Sequence, residues 1–243
     1  MLNAFQEIPA RERIIVAFDC DRERAQQLAD QLEGAATWVK IGMTLYYLEG
    51  PSIVSYMRER GFKVFLDLKF HDIPHQVRGA AASAAATGAD MMTMHAVGGV
   101  PMMQAGREGA AQAAEARGAS EPATLGITVL TSMDAETLEA TGVVRPVEEQ
   151  VLALAKQART AGLSGVVASP REAAMLREAL GPDAYIVTPG VRPAGSDVGD
   201  QSRIATPSKA FADGASHIVV GRPITGADDP REAFESIVRE IEG

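Results

Sequence analysis

Two aspartates bracket a lysine in Asp67-Leu68-Lys69-Phe70-His71-Asp72, directly after the apolar run Lys63-Val64-Phe65-Leu66. A short apolar run of that kind forms a buried strand. Positions two apart on a strand point to the same side. Asp67 and Lys69 therefore set a carboxylate beside an ammonium at the end of an otherwise hydrophobic strand. Asp72 follows three residues later, and Pro74 ends the segment or opens a helix. Buried charges are costly unless paired, and even a paired cluster is weak evidence for stability alone. The cluster thus points to a site. The carboxylates, as opposite charges, favour the protonated lysine, so the cluster offers an ammonium fixed between two carboxylates. A structural ion pair where the strand leaves the core is the alternative.

Such a group needs rigid elements to hold it. Short apolar runs predict strands at Ile14–Phe18, Trp38–Ile41, Lys63–Leu68, Met91–Met94, Leu125–Val129, Gly165–Ala168, Tyr185–Val187 and Ile218–Val220. The segments between them predict helices at Glu23–Leu32, Leu45–Arg60, Gln76–Thr87, Pro101–Arg117, Val147–Ala161, Arg171–Leu180, Ser208–Asp213 and Pro230–Glu242. Several of these end at a glycine, among them Gly61, Gly88, Gly118, Gly162 and Gly214. Strands alternating with helices at this length predict an α/β fold, a parallel (β/α)8 TIM barrel. A doubly wound open sheet is the alternative. No linker-like or low-complexity stretch divides the 243 residues, so residues 1–243 are expected to form a single barrel catalytic domain.

A barrel gathers its active site at the C-terminal ends of its strands. There the sequence sets Asp19, Lys40, Asp67 with Lys69, His95, Thr131, Ser169, Thr188-Pro189-Gly190 and Gly221-Arg222. Some of these have simpler readings. Asp19 could cap the next helix, although Asp21 lies nearer; His95 could be a satisfied buried histidine; Ser169 suits an N-cap before Pro170. Gly221 lets a backbone approach a ligand closely, and Arg222 brings a forked donor suited to phosphate. Loops after strands seven and eight often form a barrel's phosphate site. The long connection that contains Arg192 and Gln201 reads as a lid with those two as ligand-facing donors, or as an exposed loop.

Composition narrows the partners. A net charge of -9 without a basic run argues against nucleic acid. One cysteine, Cys20, excludes an internal disulfide, and no Cys/His cluster suggests zinc. Met1 to Arg13 has neither a signal-peptide pattern nor a membrane anchor, so no membrane association and a cytoplasmic location are expected.

The motifs taken in order resemble those of the orotidine 5'-phosphate decarboxylase family. The resemblance is carried by the run Phe65 to Pro74 and by Val39-Lys40-Ile41-Gly42-Met43, His95-Ala96-Val97-Gly98-Gly99 and Val129-Leu130-Thr131-Ser132. It continues in Thr188-Pro189-Gly190-Val191-Arg192, Gly199-Asp200-Gln201 and Val220-Gly221-Arg222-Pro223. It extends from about Ile14 to Pro230. The Asp-x-Lys-x-x-Asp core is shared with a sister decarboxylase acting on a sugar phosphate. The His71-Asp72-Ile73-Pro74 extension and the Thr-Pro-Gly-x-Arg stretch are more specific, and Val97 stands where a smaller residue is expected.

The resemblance implies a cofactor-free lyase that converts orotidine 5'-monophosphate to uridine 5'-monophosphate and carbon dioxide in pyrimidine biosynthesis. Lys69 would protonate C6, Asp67 would sit beside the substrate carboxylate, and Asp72 would complete the charge array in a partner subunit's site. A homodimer with shared sites is therefore implied. Asp19 and Lys40 would hold the ribose hydroxyls, and Thr131 would meet the pyrimidine edge. Arg192, Gln201, Gly221 and Arg222 would bind phosphate or close over it. The run Asp67, Leu68, Lys69, Phe70, His71, Asp72, Ile73, Pro74, His75 and Gln76 would line the substrate. Two other readings stay open: a metal-dependent enzyme acting on an open-chain sugar phosphate, and a non-catalytic phosphate-ligand binder on the same fold.

Overall fold

The computed structural model describes residues 3–193 and 205–243. The apolar runs form eight strands: β1 (Ile14–Phe18), β2 (Trp38–Gly42), β3 (Lys63–Phe70), β4 (Met91–His95), β5 (Ala123–Ile127), β6 (Gly165–Val167), β7 (Tyr185–Thr188) and β8 (His217–Val220). Each pairs in parallel with the next, and β8 closes on β1 with Ile14 opposite Ile218. The closure excludes an open doubly wound sheet. Around the barrel lie α1 (Arg22–Leu32), α2 (Met43–Glu49), α3 (Ser52–Glu59), α4 (Pro74–Ala86), α5 (Gly99–Ala116) and α6 (Ala135–Ala140). The ring continues with α7 (Val147–Thr160), α8 (Ala173–Leu180), α9 (Pro207–Ala212), α10 (Arg222–Thr225) and α11 (Pro230–Glu242).

The strands are apolar on both faces because both faces are covered. One alternating set points outward: Ile14, Val16, Phe18, Val39 and Ile41 pack with Leu28, Leu45 and Val54 of the helices. The other set fills the lumen with Ile15, Ala17, Trp38, Phe65, Met91, Leu125, Val187 and Val219. At the N-terminal end of the barrel, Phe5, Trp38, Tyr185 and His217 pack edge-on or stacked with centroid separations of 4.8–5.8 Å. That aromatic plug closes one end of the lumen and leaves the other for chemistry.

Several boundaries differ from the sequence expectation, each for a local reason. The helix expected over Leu45–Arg60 is two helices, because Gly50 takes φ 65° and Pro51 has no amide to continue the ladder. Pro74 occupies the first turn of α4 and opens that helix. β5 starts and ends two residues earlier than expected, so Val129 lies in the loop beyond it. The segment expected as a helix from Arg171 begins as a 3-10 turn over Pro170–Glu172 before α8. The short helices α6 and α10 were not expected; Asp134 caps α6 through the Thr137 amide. Asp21, not Asp19, caps α1 by accepting from the Arg24 amide, whereas Ser169 accepts from the Arg171 amide, so the cap reading holds at Ser169. The five glycines expected to end helices all have positive φ.

Candidate active site

The lumen alternation positions the chemistry. On β2 the inward residue Trp38 is followed two positions later by Lys40; on β3 Phe65 is followed by Asp67; on β1 Ala17 is followed by Asp19. Each strand thus adds a polar group one layer above the apolar core. Lys40 Nζ lies 2.8 Å from Asp19 Oδ1 and 3.7 Å from Asp67 Oδ2, and Lys69 Nζ lies 2.7 Å from Asp67 Oδ2. The result is a line of alternating charges, Asp19–Lys40–Asp67–Lys69. Gly42 makes room for it: a Cβ there would fall 2.6 Å from Asp19 Oδ1 and 3.1 Å from Lys40 Nζ.

Lys69 has φ 54°, the one positive value at a non-glycine among the described residues. Left-handed backbone is costly for such a residue and persists only where its surroundings enforce it. The β3–β4 register shifts between Leu66 and Phe70, so Lys69 sits on a bulge. Its amide donates to Thr93 Oγ1 at 2.9 Å, and the Thr93 hydroxyl donates to Asp67 Oδ1 at 2.9 Å. Burial alone would raise the pKa of Asp67. The ammonium groups of Lys40 and Lys69, with hydrogen bonds from Lys69 and Thr93, outweigh it and hold the carboxyl below its ordinary value. Asp67 is therefore a buried carboxylate that stays charged and fixes two ammonium groups.

Asp19, Lys40, Asp67 and Lys69 line a cavity of about 530 Å³, within the range of small-molecule sites. The same cavity receives Thr131 from the loop after β5, Pro189, Gly190 and Arg192 from the segment after β7, and Gly221 with Arg222 after β8. One end of the site is thus a paired charge line on rigid strands, and two guanidinium groups enter from the loops. Ile127, Val129 and Val167 supply apolar wall between them.

Other expected residues lie elsewhere. Leu68 and Phe70 pack in the helix-facing core, because alternation along β3 turns them away from the lumen. His71, Asp72, Ile73, Pro74, His75 and Gln76 are exposed on the rim leading into α4 and do not line the cavity of this chain. Asp72 accepts from the Ile73 amide, and no ion pair joins it to Lys69. His95 is half-buried with its ring 5.4 Å from that of His71; burial, then His71 and Lys69, lower its pKa. Gln201 lies outside the described residues. Sequence reading missed Thr93. Its available signal was its place two residues before His95, on the inward alternation of β4.

Comparison with known proteins agrees with this geometry. Residues 12–237 match the family model described as Orotidine 5'-phosphate decarboxylase / HUMPS family. Orotidine 5'-phosphate decarboxylase of Moorella thermoacetica is 49% identical over 235 residues, covering 96% of this chain and 93% of that protein. The protein of the same name from Halorhodospira halophila is 48% identical over 237 residues, covering 96% and 98%. The crystal structure of orotidine 5'-phosphate decarboxylase from Lactobacillus acidophilus superposes with a TM-score of 0.85 at 38% identity, covering 96% of this chain and all of that one. With a match over most of its length and relatives this similar, the chain belongs to the orotidine 5'-phosphate decarboxylase / HUMPS family.

Proposed function

We propose that the cavity binds orotidine 5'-monophosphate and that the charge line within it removes the C6 carboxyl group as carbon dioxide. The chain is a carboxy-lyase of pyrimidine biosynthesis, with uridine 5'-monophosphate as product. The observation that carries the reading is Lys69, held 2.7 Å from Asp67 on a strained strand end inside a cavity that also receives Arg192 and Arg222. Loss of carbon dioxide from C6 leaves a carbanion in the ring plane, which the ring π system cannot readily absorb. Many decarboxylases rely on an electron sink. Here a pre-placed ammonium meets the charge as it develops, with little reorganisation, and then donates the proton that completes the product. Asp67 holds the Lys69 ammonium in place at 2.7 Å and stands beside the substrate carboxylate, whose charge is lost on reaction.

The remaining roles follow the chemistry of each side chain. Asp19 and Lys40 hold the ribose hydroxyls, and Thr131 meets the pyrimidine edge. Arg192, Gln201, Gly221 and Arg222 take the phosphate, whose binding energy offsets the cost of gathering charges around the reacting carbon. Asp72 and the exposed run His71 to Gln76 serve the cavity of a second subunit. In support, Asp72 has no bond to Lys69 of its own chain, and the adjoining Ile73 (63% exposed) leaves apolar surface beside it. A cytoplasmic location is part of the same reading, in keeping with a lone cysteine.

The test is ultraviolet absorbance of orotidine 5'-monophosphate with the purified protein in excess chelator, with Lys69→Ala in parallel. Wild-type conversion that survives chelation and falls by at least about 1000-fold in the variant is expected, since the variant loses both charge stabilisation and the proton donor. No conversion by the folded wild type would transfer the site to metal-assisted chemistry on a sugar phosphate. Conversion by both proteins would remove Lys69 from the mechanism.

A further inference from the structure

Thr93 is fully buried inside β4 and does not line the cavity. A threonine sealed in a barrel lumen is satisfied most simply by a backbone carbonyl. This one is instead bonded to both members of the reacting pair. Its oxygen accepts the Lys69 amide proton at 2.9 Å, and its hydroxyl proton goes to Asp67 Oδ1 at 2.9 Å. A hydroxyl has a single proton to donate. Once it accepts from Lys69 and donates to Asp67, its orientation is settled.

We propose that Thr93 is a positioning residue of the decarboxylation, acting through Asp67 and Lys69 without touching the substrate. The inference rests on the roles given to those two residues above. Two features of the geometry carry it. At the β3–β4 register shift the ladder cannot supply a regular partner for the Lys69 amide, and the Thr93 hydroxyl stands in for it. A buried amide without a partner is costly, and the positive φ of Lys69 is costly as well. The Thr93 bond helps to offset both and so holds the backbone that aims the lysine. The second feature is the division of labour on the Asp67 carboxylate. Oδ1 is occupied by Thr93, and Oδ2 faces Lys69 and Lys40 at 2.7 and 3.7 Å. With one oxygen tied to β4, the carboxylate plane is fixed, and the ammonium groups are distributed on the other oxygen alone.

Valine has nearly the shape of threonine and can make neither bond. Serine makes both. Steady-state kinetics of the full-length Thr93→Val and Thr93→Ser proteins with orotidine 5'-monophosphate therefore separate positioning from packing, with Lys69→Ala as control and thermal melts alongside. The valine variant should lose about 100-fold in kcat, the usual consequence of a catalytic group misplaced by about an ångström, with KM within about threefold of wild type. The serine variant should keep kcat within about threefold. In a crystal structure of the valine variant, residue 69 should leave the positive-φ region.

Wild-type kcat in the valine variant, an equal loss in both variants, or a change confined to KM would overturn the proposal. An active Lys69→Ala protein would overturn the reading of the pair and this inference with it. An inactive Lys69→Ala beside a fully active Thr93→Val would sink this inference alone. If the valine protein does not fold, Thr93→Ala takes its place. The serine variant also decides alone, because a loss above about tenfold in a protein that keeps the hydroxyl contradicts the assignment.

Discussion

At the scale of the residue, the two ends of the lumen treat charge in opposite ways. At the reacting end Asp67 remains ionised because ammonium groups and a hydroxyl surround it. At the closed end His217 is kept neutral. Its ring stacks on Tyr185 with centroids 5.5 Å apart, and burial, then Arg13 and Lys63, push its pKa down to about 3. An unfolded histidine titrates near ~6.5. Between about 6.5 and about 3 the unfolded chain therefore binds a proton that the folded chain refuses. Stability from this group falls as pH drops through that window, by at most about 1.4 kcal/mol per pH unit. Asp67 acts in the same direction but lower: its contribution is complete above the ordinary carboxylate value of ~4 and is lost as pH falls through its depressed folded value. Urea unfolding of wild type and His217→Phe at pH 6.5, 5.5 and 4.5 tests this. The acid slope should be shallower in the variant, and identical slopes would show that His217 is not held neutral.

At the scale of the element, the segment before α4 depends on how α4 sits against α5. The two approach closely because their contact is made of small residues. A Cβ at Gly109 of α5 would lie 2.2 Å from the Arg78 carbonyl oxygen of α4, and one at Gly106 would lie 3.0 Å from the Val77 side chain of α4. A backbone carbonyl cannot yield as a flexible side chain can. Gly109→Ala should therefore destabilise the protein by about 1–3 kcal/mol, the usual cost of overpacking. Gly79→Ala on α4 meets nothing within 4 Å. It should stabilise by up to about 1 kcal/mol through helix propensity. Chemical denaturation of both variants distinguishes close packing from propensity, and similar effects at the two sites would refute the packing argument.

At the scale of the whole molecule, one chain does not bring its own Asp72 to its own Lys69. The proposed dimer supplies the missing carboxylate from the second copy. Mixing separately inactive Lys69→Ala and Asp72→Ala proteins and allowing subunits to exchange provides the check. A hybrid dimer contains one site with neither substitution, so up to about a quarter of all sites should regain activity at statistical exchange. Mixtures that stay inactive while exchange is demonstrated would assign Asp72 to its own chain's site.

The amino-acid sequence by itself determined the eight strands, the barrel and the charged residues at the ends of its first three strands. Apolar runs covered on both faces leave few foldings open, and a barrel must gather its strand ends on one face. Asp19, Lys40, Asp67 and Lys69 were legible because charged residues interrupt apolar alternation there. Tertiary structure decided what depends on pairing between distant segments. The slip between β3 and β4 puts Lys69 in the left-handed region and gives its amide to Thr93, and no local pattern announces either. A regular strand would have set Asp67 and Lys69 side by side by alternation alone. In the folded chain the strand is irregular at Lys69, and a buried hydroxyl on the next strand holds the arrangement. The break of the expected Leu45–Arg60 helix could have been read from Gly50-Pro51. The outward turn of Leu68 and Phe70 depends on which face of β3 meets helices, and only closure of the barrel decides that.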